Sequence, residues 1–269
     1  MGIACLLLFL ITDPFAMAEE KTDAEVYVCP MRGKPCPMTE SNAPGKCEHC
    51  GMNLVTMAKY EEYLKSINAN KHRVGLLLYP GFEVLDAYGP VEMWSMMPEF
   101  EIVTVAQQAG LVTSIQGLKT EAQYSFETCP ELDILLVPGG MGTLSELKNE
   151  TILQFIRDRD KQTDITASVC SGSALLAKAG VLDGHKATSN KKYFSIATSQ
   201  SDKVEWIQSA RWVDDGKVVT SSGVSAGMDM ALHIIRRLFN EKKAESVAKL
   251  AEYIWNKDPA NDPFAVAAK

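Results

Sequence analysis

Two groups of residues in this 269-residue chain combine side chains and spacings suited to chemistry. The first centres on Cys170, in the run ASVCSGSALL. An apolar run closes on the cysteine, and a helix-forming stretch opens behind it, with Gly172 two positions on. That is the pattern of a nucleophile on a strand-to-helix turn. A thiol placed there meets the unpaired amides and the positive dipole end of the helix, which favour a thiolate. The alternative is a small buried hydrophobe, the commonest fate of a free cysteine. A second glycine-rich run, VPGGMGT, allows close backbone approach at Gly139 and Gly140; their amides, with that of Ser171, are candidates for an oxyanion hole. The second group is Cys29, Cys36, Cys47 and Cys50, spaced C-x6-C-x10-C-x2-C. A C-x2-C pair sets two thiolates on one tight knuckle, the geometry of a tetrahedral soft-metal site. In an oxidising compartment the same four residues could instead form two disulfides.

These groups sit in very different surroundings. Residues 27–55 are rich in Pro and Gly with almost no aliphatic content, and a segment that short needs a staple to fold. Residues 56–71 read as a polar linker helix. From residue 72 the composition changes. VGLLLY is a continuous apolar run of the kind buried on both faces of a parallel sheet, FEIVTVA and DILLVPGG read as further buried strands, and ITASVC as the strand that ends at the cysteine. Helical spacing follows most of them: residues 83–97, with Pro90 inside, then 144–161, 171–182, 225–240 and 242–255. Asp215-Gly216 marks a hairpin within 211–222. Strands alternating with helices predict an α/β domain over 72–256 with a mostly parallel sheet, whose site lies at the strand carboxyl ends. A loose tail is expected over 257–269.

Bulk properties narrow the options. Hydrophobic residues make up 46% and charged residues 23%, as in a soluble globular chain. A net charge of -7 without a basic block argues against nucleic-acid binding. Residues 2–11 form an apolar run too short to span a bilayer, and Ala16, Met17 and Ala18 fit a small-x-small cleavage site. Residues 1–18 are therefore expected to be a signal peptide, although no Lys or Arg precedes the run, and the mature chain to be exported, periplasmic or secreted, without a stable membrane anchor.

The runs VGLLLYPGFEVLDAYGPVEMW, ILLVPGG, ASVCSGSALLAKAGVLDGHKAT and VVTSSGVSAGMDMALHII resemble the ThiJ/PfpI superfamily of the class I glutamine amidotransferase-like fold, in particular its isonitrile hydratase-like branch. The resemblance implies a flavodoxin-like sandwich. It makes Cys170 the nucleophile, Asp86 the acid facing it, Ser171 the hydroxyl residue after the nucleophile, and Gly140 the oxyanion-hole glycine. Many relatives carry a histidine after the ATT-like strand; here Asn190 occupies that place in ATSNKKYF, which argues against a Cys-His dyad. Residues 27–55 resemble the short heavy-metal-binding domain, with Tyr27, Cys29, Pro30, Met31, Pro44, Gly45, Cys47, Cys50, Gly51 and Met52 matching its pattern. Its usual histidine is replaced by Arg32, so Cys36 is the candidate fourth ligand, ahead of His49. Zn(II) and Cu(I) both suit the set; Met31, Met38, Met52 and Met57 would favour Cu(I) if their thioethers reach the ion.

The reading that follows is an exported cysteine enzyme that hydrates or hydrolyses a small electrophile through Cys170 and Asp86. It needs no cofactor in the catalytic domain, carries a tethered metal module, and by its resemblance is expected to form a homodimer. The competing reading is a non-enzymatic metal- or redox-responsive sensor. Regulators of the superfamily carry an appended DNA-binding domain; only residues 257–269 follow the last expected helix here, so DNA binding is not expected.

Overall fold

The computed structural model describes residues 25–31, 36 and 40–265. The expected signal peptide, Arg32, Met38 and residues 266–269 lie outside that set. The chain divides into two compact units, one ending at Ser66 and the other starting at Ile67.

In the first unit, β1 (Tyr27–Val28), β2 (Glu40–Ser41) and β3 (Val55–Thr56) form a small antiparallel sheet in the order β2-β1-β3. Helix α1 (Met57–Ala69) follows and runs across the division. The core of this unit is Cys29, Cys36 and Cys47 with Leu54 against them. The thiols make up most of the interior, as a segment with so few aliphatic residues requires.

In the second unit the order is β4 (His72–Leu77), α2 (Val84–Ser95), β5 (Phe100–Ala106), β6 (Gly110–Thr113), β7 (Lys119–Ala122), β8 (Tyr124–Ser125), β9 (Ile134–Val137), α3 (Thr143–Glu146), α4 (Glu150–Asp160) and β10 (Ile165–Val169). Then come α5 (Gly172–Lys178), β11 (Lys186–Ala187), α6 (Phe194–Thr198), β12 (Glu205–Trp206), β13 (Trp212–Asp215), β14 (Val218–Ser221), α7 (Ala226–Leu238) and α8 (Glu241–Leu250). Seven strands make the central sheet, in the order β13-β14-β10-β9-β4-β5-β8. Every pairing is parallel except that of β13 with β14, the hairpin marked by Asp215-Gly216. Strands β9 and β10 are buried at every position; β9 is accordingly a continuous apolar run, and β10 places only the small hydroxyl residues Thr166 and Ser168 between its apolar ones. Helix α2 packs on α7, and α7 on α8, while α3, α4 and α5 form another group. Gly227 lies where α2 crosses α7; a β-carbon there would come within 3.2 Å of Pro90 and 2.9 Å of Val169.

One element has no counterpart in the sequence reading, and one expectation changes. The hairpin β6–β7 lies in a stretch without a clear apolar pattern, because only Val112 and Ala122 in it are buried. The chain after residue 256 is not loose within the described residues. Arg211 donates its backbone N–H to Pro259 O at 2.7 Å, and Asp262 is buried beside Lys191 and Arg211. No helix among the described residues is long and apolar enough to cross a membrane.

Candidate active site

Strand β10 ends at Val169, and Cys170 makes the turn into α5 with φ of +58°. Left-handed backbone is unusual for a residue other than Gly, Asn or Asp, and non-glycine residues held there cluster at functional sites. The turn is over-determined. The Cys170 N–H lies 3.2 Å from both Ser221 O and Ser222 O, while the Cys170 carbonyl accepts from Ser173 Oγ at 3.1 Å and Ser189 Oγ at 3.0 Å. Gly172 permits the close pass behind it, since a β-carbon there would sit 2.2 Å from Val137 O. The side chain is only 7% exposed.

Three groups meet the sulphur. Asp86, in the first turn of α2, is fully buried rather than on a solvent face. Its Oδ2 accepts the Gly139 N–H at 3.0 Å, and its Oδ1 is buried without a well-formed hydrogen bond. Burial, then the nearby Glu83 charge, push this carboxyl up to about 7, against smaller opposing effects of the Gly139 amide and the Cys170 thiol. The second partner is the Ser171 N–H, directed at the sulphur. The third is Asn190, whose Nδ2 donates to Cys170 Sγ at 3.1 Å. Its amide orientation is fixed, because Asn190 Oδ1 accepts from Lys192 N at 3.0 Å and Tyr193 N at 3.1 Å, leaving only the nitrogen to face the sulphur. Gly223 makes room for it: a β-carbon there would lie 2.3 Å from Asn190 Nδ2.

The thiolate expected at the helix start is not the resting state. Burial and then the Asp86 charge push the Cys170 thiol up to about 12, outweighing the Ser171 amide and Asn190. A short helix start does not offset desolvation of an anion beside a carboxylate. The resting pair is a neutral thiol beside a carboxyl that titrates near neutrality.

The candidate oxyanion amides are engaged as well. The Gly139 N–H holds Asp86, and the Gly140 N–H donates to Ser171 Oγ at 3.1 Å. Gly140, at φ +133°, has to be glycine, because a β-carbon would come within 2.4 Å of Gly81 O. A hydroxyl chain sets the polarity of Ser171. Tyr79 Oη donates to Pro138 O at 2.7 Å, so in its 3.0 Å contact with Thr143 it must accept. Thr143 has then given its only proton to Tyr79, so the Ser171 hydroxyl directs its proton at Thr143 Oγ1, 3.0 Å away, or at Gly140 O, 3.4 Å away. With one lone pair taken by Gly140 N–H, Ser171 Oγ presents its remaining lone pair as an acceptor.

The four predicted residues Cys170, Asp86, Ser171 and Gly140 thus converge. Asn190, noted in the sequence only as a departure, is a direct partner of the sulphur. No described histidine is among the groups at the sulphur. His72 packs on Phe100 and Phe239, His185 pairs with Asp215, and His233 pairs with Asp214. Cys129 is buried and contacts Pro130 O.

In the N-terminal unit the sulphurs of Cys29, Cys36, Cys47 and Cys50 all lie within 4.8 Å of one another. Cys29 and Cys50 are 3.5 Å apart, and Cys36 and Cys47 3.3 Å, well beyond a bonded pair at about 2.05 Å. A tetrahedral ion with metal–sulphur bonds of about 2.3 Å sets its ligands somewhat under 4 Å apart, so the cluster fits one. The knuckle amides of Cys50 and His49 lower the Cys47 thiol toward the thiolate form that a metal binds. Cys36 occupies the fourth corner, while Met31 and Met52 remain two-fifths exposed.

Fold and site define a class I amidotransferase-like domain with a cysteine elbow. The DJ-1/PfpI family pattern matches residues 72–237, and that of the heavy metal binding domain residues 26–57. The chain belongs to the DJ-1/PfpI family. It is similar to an isonitrile hydratase of Pseudomonas putida, 34% identical over 67% of this chain and 78% of that protein. It also resembles the HTH-type transcriptional regulator GbdR of Pseudomonas aeruginosa, 25% identical over 73% of this chain but 55% of the regulator. Among solved structures, a ThiJ/PfpI family protein from Pseudomonas syringae superposes with a TM-score of 0.62 at 34% identity, covering 69% of this chain and 76% of that one.

Proposed function

We propose that this chain is an exported hydratase for a small isonitrile-like electrophile, with Cys170 as nucleophile and Asp86 as proton shuttle. The observation that carries this reading is the thiol–carboxyl pair, buried together with Asn190 on the sulphur. In the reaction, Cys170 Sγ bonds to the terminal isonitrile carbon, and the thiol proton passes by way of Asp86 to the same carbon. The product is a thioimidate. Water then adds to that carbon, giving one proton to Asp86, while Ser171 Oγ accepts from its other hydrogen. Asp86 passes the proton it took from water to the substrate nitrogen; the new hydroxyl then gives up its own proton as the carbonyl forms and the carbon–sulphur bond breaks, and that proton returns by way of Asp86 to the sulphur, restoring the thiol and releasing an N-substituted formamide. Water is consumed, and no oxidant or reductant is needed. The similarity to an isonitrile hydratase supports the same substrate class.

The direct test is conversion of a small alkyl isonitrile to its formamide, followed by proton NMR. Turnover by the wild type that is abolished in Cys170→Ala and Asp86→Asn supports the reading. An inactive wild type, or an active Cys170→Ala, refutes it. The four-cysteine cluster favours a second reading, a metal-responsive sensor. In that case Zn(II) or Cu(I) at the module would change Cys170 alkylation while isonitrile is left untouched.

A further inference from the structure

Four charged side chains are buried together beside the site: Lys191, Arg211, Asp229 and Asp262 are 7%, 7%, 0% and 5% exposed. Arg211 Nε donates to Asp229 Oδ2 at 2.6 Å, and Asp229 Oδ1 accepts from Tyr253 Oη at 3.0 Å and Asn256 N at 2.9 Å. That pair is satisfied without Asp262. The carboxylate of Asp262 nevertheless enters between the two cations, 3.6 Å from Lys191 Nζ and 3.8 Å from the Arg211 guanidinium. Lys191 Nζ also donates to Thr188 Oγ1 at 2.8 Å and to Ala210 O. Burying charge is costly, and a buried ion pair is weak evidence of stability. What this one joins is therefore informative.

Lys191 lies between Asn190 and Lys192, in the loop whose amides clamp Asn190 Oδ1. Arg211 lies on the opposite wall. Its carbonyl accepts Ser222 N at 2.8 Å, Ser222 O accepts Cys170 N, and Gly223 is the residue that makes room for Asn190. Lys191 thus belongs to the Asn190 loop, Arg211 is hydrogen-bonded to the segment of Ser222 and Gly223 that frames Asn190 from the other side, and Asp262 pairs with both cations. The C-terminal segment delivers it, anchored through Arg211 N–H to Pro259 O and Asn256 Nδ2 to Asn261 O.

We infer that Asp262 is a positioning residue for the nucleophile: the C-terminal segment is a clasp that holds the Asn190 loop so that its amide donates to Cys170. Deprotonation of the thiol is opposed by the facing Asp86 and aided by Asn190 and the Ser171 amide. The clasp itself is faced by Lys191, Arg211, Asp229 and Tyr253. Loss of Asp262 leaves Lys191 without a carboxylate partner beside the Asp229-paired Arg211 and frees the loop.

The test is the rate of iodoacetamide alkylation of Cys170 in the full chain, read by mass spectrometry at pH 7, where Lys191, which burial brings down to about 8, still carries its proton. A hydrogen bond to an anion contributes about 1.5 kcal/mol, or roughly tenfold in thiolate. Asn190→Ala is therefore expected to slow alkylation about tenfold. Asp262→Asn is expected to match it, to add nothing in the double variant, and to be reversed by Asp262→Glu. A clasp that merely braces the fold gives the opposite sign, because loosening exposes a buried thiol and speeds alkylation. Faster or unchanged reaction in Asp262→Asn, additivity with Asn190→Ala, or no effect of Asn190→Ala overturns the inference. If Asp262→Asn does not fold, Lys191→Met leaves Asp262 paired with Arg211 and is read by the same criteria. None of these outcomes depends on isonitrile turnover.

Discussion

Asp86 ties the chemistry of the site to the stability of the domain, and replacing it with Asn separates the two. The folded-state carboxyl titrates at about 7, against an ordinary value of 3.8. Between those values the folded domain keeps a proton that the unfolded chain has already released. Stability therefore falls as pH rises through that window, and the loss is complete above pH 7. About three pH units at about 1.4 kcal/mol each gives a cost on the order of 4 kcal/mol. Asparagine keeps the carbonyl that accepts the Gly139 N–H and cannot ionise. Asp86→Asn is therefore expected to equal the wild type in stability near pH 4 and to exceed it by a few kcal/mol at pH 8. Urea unfolding of the full chain at pH 4.5, 6 and 8 reads this, because the four tryptophans (Trp94, Trp206, Trp212 and Trp255) all lie in the second unit and report on it. A difference that is flat with pH, or an Asp86→Asn protein less stable at pH 8 than the wild type, would refute the linkage.

The same variant should separate two reactivities. The Asp86 charge holds the thiol pKa up, so Asp86→Asn should alkylate faster with iodoacetamide at pH 8.5 while losing isonitrile turnover; loss of both would show that Asp86 only maintains the fold. Gly223→Ala should phenocopy Asn190→Ala, slowing alkylation about tenfold, because its β-carbon would sit 2.3 Å from Asn190 Nδ2 and displaces the amide; wild-type rates in Gly223→Ala with slow Asn190→Ala would refute the steric account. In the module, Cys36→Ser removes one of four sulphurs that share a binding free energy on the order of 10–16 kcal/mol. Zinc affinity, read by chelator competition, should fall by about two orders of magnitude or more, and unchanged affinity would remove Cys36 from the ligand set.

The parts of this molecule that are legible in the sequence are those decided by local pattern. Buried parallel strands write themselves as VGLLLY, FEIVTVA and ITASVC. The elbow is marked by a cysteine followed by small residues, and the β13–β14 hairpin by Asp215-Gly216. What escapes depends on residues distant in the chain. The β6–β7 hairpin exposes much of its surface and leaves no apolar rhythm. Asp86 reads as a solvated helix carboxylate because the groups it meets, the Gly139 amide 53 residues away and the Cys170 thiol, are distant in the chain. Asn190 reads as a missing histidine, since only the fold brings its amide 3.1 Å from the sulphur. Asp262, in a polar and Pro-containing stretch, reads as part of a tail, yet it is buried by two cations that sequence distance hides.

The high pKa of the Cys170 thiol selects among reactions rather than disqualifying the residue. Forming a free thiolate at pH 7 from a thiol near 12 requires about five pH units, on the order of 7 kcal/mol. Amide hydrolysis by a cysteine needs that thiolate together with a separate acid for the leaving nitrogen, a role usually filled by a histidine. No described histidine contacts the sulphur here. An isonitrile carbon is different, because it receives the nucleophile and the proton at the same atom. A neutral thiol beside a carboxyl near 7 can form the sulphur–carbon bond while the thiol proton moves through Asp86 to that carbon, so a fully desolvated thiolate never has to be populated. Asn190 and the Ser171 amide then need only stabilise the partial charge that develops on sulphur in the transition state. Their modest downward effect on the thiol is enough for that task, though not for holding a resting thiolate.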